Sequence, residues 1–443
     1  MSATFLALFV LPMLYVIFNS TIHFKNKFLK KTLAVGVITG FLCLGQNIDA
    51  QNSRVVSLNE AIALMQKNNP SIKAKDLNVQ SSEALQPTAK ELPKLDFSAQ
   101  LGQYNSPKFD QSFAVSQSIP FPTLFKARKQ LIRAEVKSRK LERQLTENEL
   151  IKQVRTYFYQ IEYLQHNQTK LQYLDSLYGD FIRIATVRFK AGDIKKIEIS
   201  TAETQKGEIN LLFQQNKVYL NNAYENLKVL LNTQEQIAVP FSQDYQPLSA
   251  GYLPNSATVV HHPSIQILKQ NREVLEKNKD VEKALGLPDF TIGYTNQSLI
   301  GFHSLNGQEK YYGAGDRFSS VSVGVAIPLT FGATKARIKS LELQEQVEES
   351  NVKFQQQQLE AQLKNSLSQY QQDLQQYEYY LNQAVPNAER IVKAAQLGYK
   401  TGEISYVEYL FALQTATDIE LKYLQSIQQV NQTVININSL INQ

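Results

Sequence analysis

Two stretches of nearly seventy residues, from about Thr123 to Lys190 and from about Thr334 to Lys400, run almost without the glycines and prolines that end helices; only Gly179, Pro386 and Gly398 interrupt them. At 1.5 Å per residue each predicts a helix about 100 Å long, the second kinked at Pro386. A compact globule has no use for helices of that length. Leu363, Leu367, Tyr370, Leu374, Tyr377 and Leu381 keep the alternating spacing of four and three residues that marks a coiled-coil seam. The Gln- and Asn-rich residues around that seam carry few net charges, as the solvated face of a helix or the wet wall of a duct would.

The chain is also written twice. FKAGDIKKIEI at 189 to 199 returns as YKTGEISYVEY at 399 to 409, NNPSIKAKDLN at 68 to 78 as HHPSIQILKQN at 261 to 271, and SIPFPTLFKARK at 118 to 129 as AIPLTFGATKARIK at 326 to 339. This order divides the chain into a first repeat over 51 to 232, a linker over 233 to 260 that holds Pro240, Pro247 and Pro254, and a second repeat over 261 to 443. Each repeat reads helix, β-hairpin, very long helix, glycine motif, helix.

Within the repeats, Ser57 and Glu60 form a capping-box pattern and Pro70 opens a helix after Asn68 and Asn69. Apolar residues then alternate with small or polar ones at Leu95, Phe97, Ala99 and Leu101, at Phe113, Val115 and Ile119, at Phe290, Ile292 and Tyr294, and from Val321 to Leu329. Strands of this length suit a tilted membrane crossing, although a soluble sandwich alternates too. Two hairpins give four strands, and hydrocarbon does not tolerate open sheet edges. Two copies would close eight strands around a lumen packed with side chains, and three would close twelve around a watery passage. Gly192 and Gly402 suit left-handed turns between antiparallel helices, which would set Asp193 and Glu403 at helix N-termini where the dipole favours an anion.

The amino terminus carries two apolar runs, at 3 to 18 and 32 to 45, separated by a basic stretch. The second run reads as the core of a signal peptide over 23 to 50 that ends at Ala50. The first, within 1 to 22, resembles the last transmembrane helix of heavy-metal resistance-nodulation-division pumps; a misplaced start is the plainer reading. The single cysteine, Cys43, lies inside the signal segment after Leu42, where a lipid-anchor signal would have a small residue. Four lysines and one aspartate lie there as well, so the formal charge of +6 falls to about +3 in the remainder, too little for a nucleic-acid surface. The five histidines have no metal-ligand spacing, and neither a phosphate loop nor a nucleophile elbow is present. His261 and His262 precede a helix-opening proline and read as capping or surface residues. No catalytic residue, cofactor or resident metal is expected.

From residue 51 onward the two-copy layout, the SLNEAIALMQKNNPSIKA opening, the passages SIPFPTLFKARK and AIPLTFGATKARIK, and the runs RFKAGDIKKIEISTAE and GYKTGEISYVEYLFAL resemble the TolC-type outer-membrane efflux family. The resemblance implies a mixed α/β membrane protein in which a long α-helical coiled-coil barrel continues a transmembrane β-barrel, four strands per chain, completed as a homotrimer. It implies a bacterial outer-membrane location reaching into the periplasm, and an export duct fed by a periplasmic adaptor and an inner-membrane resistance-nodulation-division pump. The cargo would be heavy-metal ions if the pump-like segment is meaningful, and drugs or other small molecules otherwise. A periplasmic coiled-coil scaffold is the rival from another class. By the same resemblance Gly192 and Gly402 mark the periplasmic tip turns, Glu408 matches an inward carboxylate ring at the aperture, and Tyr399 matches an aromatic that bonds a first-copy carboxylate, here Glu198. The chain departs from the pattern at Ile404 and Phe411, where a basic residue and a second carboxylate would stand.

Overall fold

The computed structural model describes residues 54–249, 256–329 and 331–441. The expected signal and pump-like segments lie outside them. Val55–Gln443 form one compact unit, so both repeats share a single body.

The first repeat opens with α1 (Leu58–Asn68), capped by Ser57, whose Oγ accepts the Glu60 N–H at 3.3 Å. The Asn69 side chain accepts the Ser71 N–H at 2.8 Å and so starts α2 (Pro70–Ala84) at the proline foreseen for it. Strands β1 (Asp96–Gly102) and β2 (Asp110–Ile119) follow, then the uninterrupted α3 (Thr123–Lys190) of 68 residues and α4 (Lys196–Leu231). The second repeat gives α5 (Pro263–Leu285), β3 (Asp289–Ser298), β4 (Gly301–Leu305), β5 (Gln308–Tyr312), β6 (Arg317–Ala326), α6 (Phe331–Tyr379), α7 (Val385–Thr401) and α8 (Tyr406–Leu440). His262 caps α5, its Nδ1 accepting the Ser264 N–H at 3.3 Å, which is the capping role expected of that histidine pair. The β4–β5 hairpin has no counterpart in the first repeat, and the alternation pattern did not announce it.

Between α6 and α7 the helix widens into a π turn over Tyr380–Ala384. Pro386 lacks the N–H that would bond back to residue 382, and its ring crowds that carbonyl; a wider turn accommodates both faults without breaking the helix. The expected kink is thus a π segment.

α3 buries Leu150, Val154, Phe158, Ile161 and Leu164 and, further along, Leu171, Leu174, Tyr178, Phe181 and Ala185, spaced as a coiled-coil seam requires. The upper set packs on Ala61 and Met65 of α1 and on Ala223, Leu227 and Leu231 of α4. Toward the sheet, Leu124 and Ala127 of α3 meet Val281 and Ala284 of α5. In α6 the predicted seam holds at Leu363, Leu367 and Tyr370, which pack with Ile265 and Ile437, while Leu381 is exposed. Asp373 is buried beside the seam, where it accepts bonds from Thr433 Oγ1 at 2.7 Å and Gln369 Nε2 at 2.8 Å. The segment after α4 is docked on the helices. Tyr245 is buried against Leu424 and Ile427, and His166 is sandwiched between Phe241 at 4.4 Å and Tyr245 at 4.6 Å.

The strands form one antiparallel sheet in the order β1-β2-β3-β6, with β4 and β5 paired separately. β1 and β6 are its open edges.

Candidate functional site

Two places stand out by geometry, the sheet and the far end of the helices. Across the sheet, register aligns Phe97, Val115, Tyr294 and Val321 in one row and Ile292 with Val323 in the next. Side chains alternate faces along each strand, so these rows and Phe290 with Val325 form one apolar face, interrupted by Gln117 beside Ile292. The neighbouring rows point the other way: Asp96, Ser116, Gly293 and Ser322, then Ser98, Ala114, Thr295 and Ser320. That opposite face carries mostly small and hydroxyl-bearing side chains, with Gln297 and Phe318 at the end remote from the helices. The apolar side is bare, with Val323 77% exposed and Phe97, Ile292 and Val321 likewise exposed. Among the described residues no helix is long and apolar enough to cross a membrane.

At the other end, α3 stops in a Schellman turn. Gly192 sits at φ 85°, its N–H donates to the Phe189 carbonyl at 3.0 Å, and the Asp193 N–H donates to the Arg188 carbonyl at 2.9 Å. The second repeat copies this, with Gly402 at φ 80° and the Glu403 N–H on the Gly398 carbonyl at 2.8 Å. Both tip glycines therefore hold the left-handed residue expected of them. Asp193 and Glu403 do not reach helix N-termini as anticipated, because the caps are Lys195 and Ser405, each two positions further on. The acids in the first turns are Glu198 and Glu408. Glu408 Oε2 accepts the Ser405 N–H at 2.7 Å while Ser405 Oγ accepts the Glu408 N–H at 3.3 Å, a complete capping box. These bonds from Ser405 hold the exposed Glu408 carboxyl below the usual range. Glu198 Oε1 likewise accepts the Lys195 N–H at 3.3 Å.

The expected Tyr399 to Glu198 bond does not form. The Tyr399 hydroxyl and Glu198 Oε2 are both buried without a hydrogen-bond partner. Stacking sets the ring's orientation: Tyr399, 2% exposed, lies parallel to Tyr409 at 4.9 Å, and the Arg188 guanidinium sits 4.8 Å from its ring centre. Arg188 Nη1 also donates to the Tyr399 carbonyl at 3.2 Å. Phe181, 1% exposed, touches the rings of Tyr399, Tyr406 and Tyr409 at 5.1 to 5.6 Å. Glu198, meanwhile, is turned back to cap its own helix. Burial pushes the Tyr399 phenol up, with the Arg188 cation partly opposing it.

The tip is thus closed on itself by an aromatic and guanidinium stack joining α3 to α7 and α8. Sequence reading singled out Tyr399 but missed Phe181, Arg188, Tyr406 and Tyr409. A signal was present in the repeat: Arg188 stands where the second copy has Gly398, and that Gly is needed because a Cβ there would meet Ile404 Cγ2 at 3.3 Å. Around the stack, Val187 and Leu397, and Ile197 and Val407, are repeat-related pairs of exposed apolar residues.

Residues 256–443 match the family described as Outer membrane efflux protein. Among solved structures, CusC, studied for folding and transmembrane channel formation, aligns at 15% identity and a TM-score of 0.73, covering 89% of this chain and 92% of that one. The CmeC outer membrane channel of Campylobacter jejuni aligns at 16% identity and 0.69, covering 87% and 85%. The outer membrane protein VceC of Vibrio cholerae aligns at 13% and 0.69, covering 87% and 95%. No curated protein matches the chain. At these identities the structural likeness establishes the fold, a helical shaft joined to a β domain. The matched family is one of efflux proteins, and CusC and CmeC are described as channels rather than enzymes.

Proposed function

We propose that this chain is one of three copies of an outer-membrane export duct, reaching from the membrane into the periplasm. The observation that carries the reading is the four-stranded sheet with one bare apolar face, one Ser/Thr-lined face and two open edges, set at the end of a shaft about 100 Å long. An apolar outside and a hydroxyl-lined inside are what lipid and water each require of a barrel wall, and only closure with other copies satisfies the edge N–H and C=O groups. Three copies give twelve strands and an open lumen. A periplasmic scaffold would leave the apolar face in water.

The repeat-related apolar pairs at the tip suit docking of a periplasmic adaptor, with an inner-membrane resistance-nodulation-division pump behind it. Glu408, exposed beside the second tip turn, would supply one carboxylate per chain to an aperture ring, with Glu198 and Tyr399 behind it in the closed tip. The cargo reading rests on residues 3 to 18 alone and favours heavy-metal ions over drugs.

Crosslinking of detergent-extracted protein should trap trimers as the largest defined species; a limit at monomers or dimers would contradict the reading. Deletion of the gene should sensitise cells to zinc, cobalt, cadmium or copper. Unchanged tolerance to all four, with increased dye or detergent sensitivity, would transfer the cargo to the multidrug class.

A further inference from the structure

The β4–β5 hairpin belongs to neither repeat pattern. It rises from the end of the sheet remote from the helices, where the loop between β1 and β2 also lies. Which way it leans is fixed by its contacts. Tyr312 packs edge-on against Phe318 at 5.2 Å, and Phe318 pairs across the sheet with Gln297, on the Ser/Thr-lined face. The Tyr312 side of the hairpin therefore looks toward the lumen. Neighbouring residues alternate, so Phe302 and Tyr311, which pair directly, look outward on the side of the apolar face.

That outward side is built from rings and charge. Phe302 is 71% and Tyr311 44% exposed, with ring centres 5.1 Å apart. Lys108, from the β1–β2 loop, places Nζ 5.1 Å from the Tyr311 ring centre and 3.3 Å from its hydroxyl. Below them the apolar face ends in a polar belt: Tyr294 bonds Ser319 at 2.8 Å, Asn296 Nδ2 donates to Ser319 at 3.0 Å, and Arg317 Nε donates to Asn296 at 2.6 Å while lying over Phe113. Glu309 shares the outward side nearer the hairpin turn.

We propose that this hairpin is an outward arm lying on the outer leaflet, with Phe302 and Tyr311 seated among the headgroups and Lys108 on a lipid phosphate. The proposal rests on the sheet spanning a membrane. Three features favour a lipid surface over a folded lid: the arm's aromatic side lies on the same side of the sheet as the apolar face, a polar belt ends that face just below the arm, and an ammonium group is set beside exposed aromatic rings, which occupy the boundary between hydrocarbon and water elsewhere in membrane proteins.

The chain has no tryptophan, so single-tryptophan variants report without background. In vesicles of phosphatidylcholine containing lipid A, Phe302→Trp should emit at shorter wavelength than in vesicles of phosphatidylcholine alone and lose most of its emission to a lipid brominated near the headgroup. Adding Lys108→Glu should remove the dependence of that emission on lipid A. Val323→Trp, in the middle of the apolar face, should be quenched by a lipid brominated deep in the chain. A Phe302→Trp signal quenched by aqueous iodide and indifferent to brominated lipid, with Val323→Trp still quenched by the deep label, would overturn the arm and leave the spanning sheet standing. Loss of lipid quenching at both positions would overturn the two together.

Discussion

Val323→Lys should abolish assembly in the outer membrane, whereas Ser322→Lys, one residue away, should leave it largely intact. Val323 pairs with Ile292 in the middle of the apolar face, and Ser322 pairs with Gly293 on the hydroxyl-lined one. A lysine facing lipid near the bilayer midplane costs about 2–4 kcal/mol, and three copies would raise that to about 6–12 kcal/mol, comparable with the whole stability of a domain. The neighbouring lysine would face water in the lumen, where its charge is solvated. In a soluble sheet both substitutions would be surface changes of small and similar effect. The amount of trimer recovered from washed outer membranes, measured for both variants, separates these cases. Equal recovery of the two would mean that the sheet does not divide lipid from water.

At the other end of the molecule, Phe181→Ala should loosen the tip and Tyr399→Phe should not. Phe181 is buried and touches three tyrosine rings, so truncation removes a large apolar group and leaves a cavity, at a cost of about 3–5 kcal/mol. The hydroxyl of Tyr399 has no hydrogen-bond partner, so its deletion should change stability by less than about 1 kcal/mol. The stack itself, with Tyr409 and Arg188, survives in the phenylalanine variant. Thermal unfolding in detergent and single-channel conductance should therefore both respond to Phe181→Ala, with a lower midpoint and larger conductance steps, and barely to Tyr399→Phe. A Tyr399→Phe effect as large as that of Phe181→Ala would restore the hydroxyl-to-carboxylate lock expected from family resemblance.

The contrast between those two residues shows where the sequence was informative. Chain-level features were legible because each has a one-dimensional signature: α3 begins and ends at the residues expected, Pro70 opens α2, and Gly192 and Gly402 take the left-handed turns that only a missing Cβ makes easy. The sheet was legible for the same reason, since period-two alternation over Phe290, Ile292 and Tyr294 already specifies which side chains share a face. The tip stack was not. It joins Phe181 and Arg188 to residues about two hundred positions later, and no periodicity encodes which face of one long helix meets another. The orientation of the Tyr399 ring follows from that packing, and the capping geometry that turns Glu198 toward Lys195 follows from where α4 begins, two residues later than the glycine motif suggested. The β4–β5 hairpin escaped because its strands of five residues are too short to show alternation against a background of Gly, Ser and Tyr.

Several copies of this chain, on the proposed function, enclose a continuous aqueous passage. Single-channel recording of the purified protein in planar bilayers tests it most directly, with Phe181→Ala recorded alongside so that a closed tip cannot hide a barrel. Discrete conductance steps in the native protein, enlarged in Phe181→Ala, are the result predicted; folded protein that inserts and gives no steps in either form would contradict it.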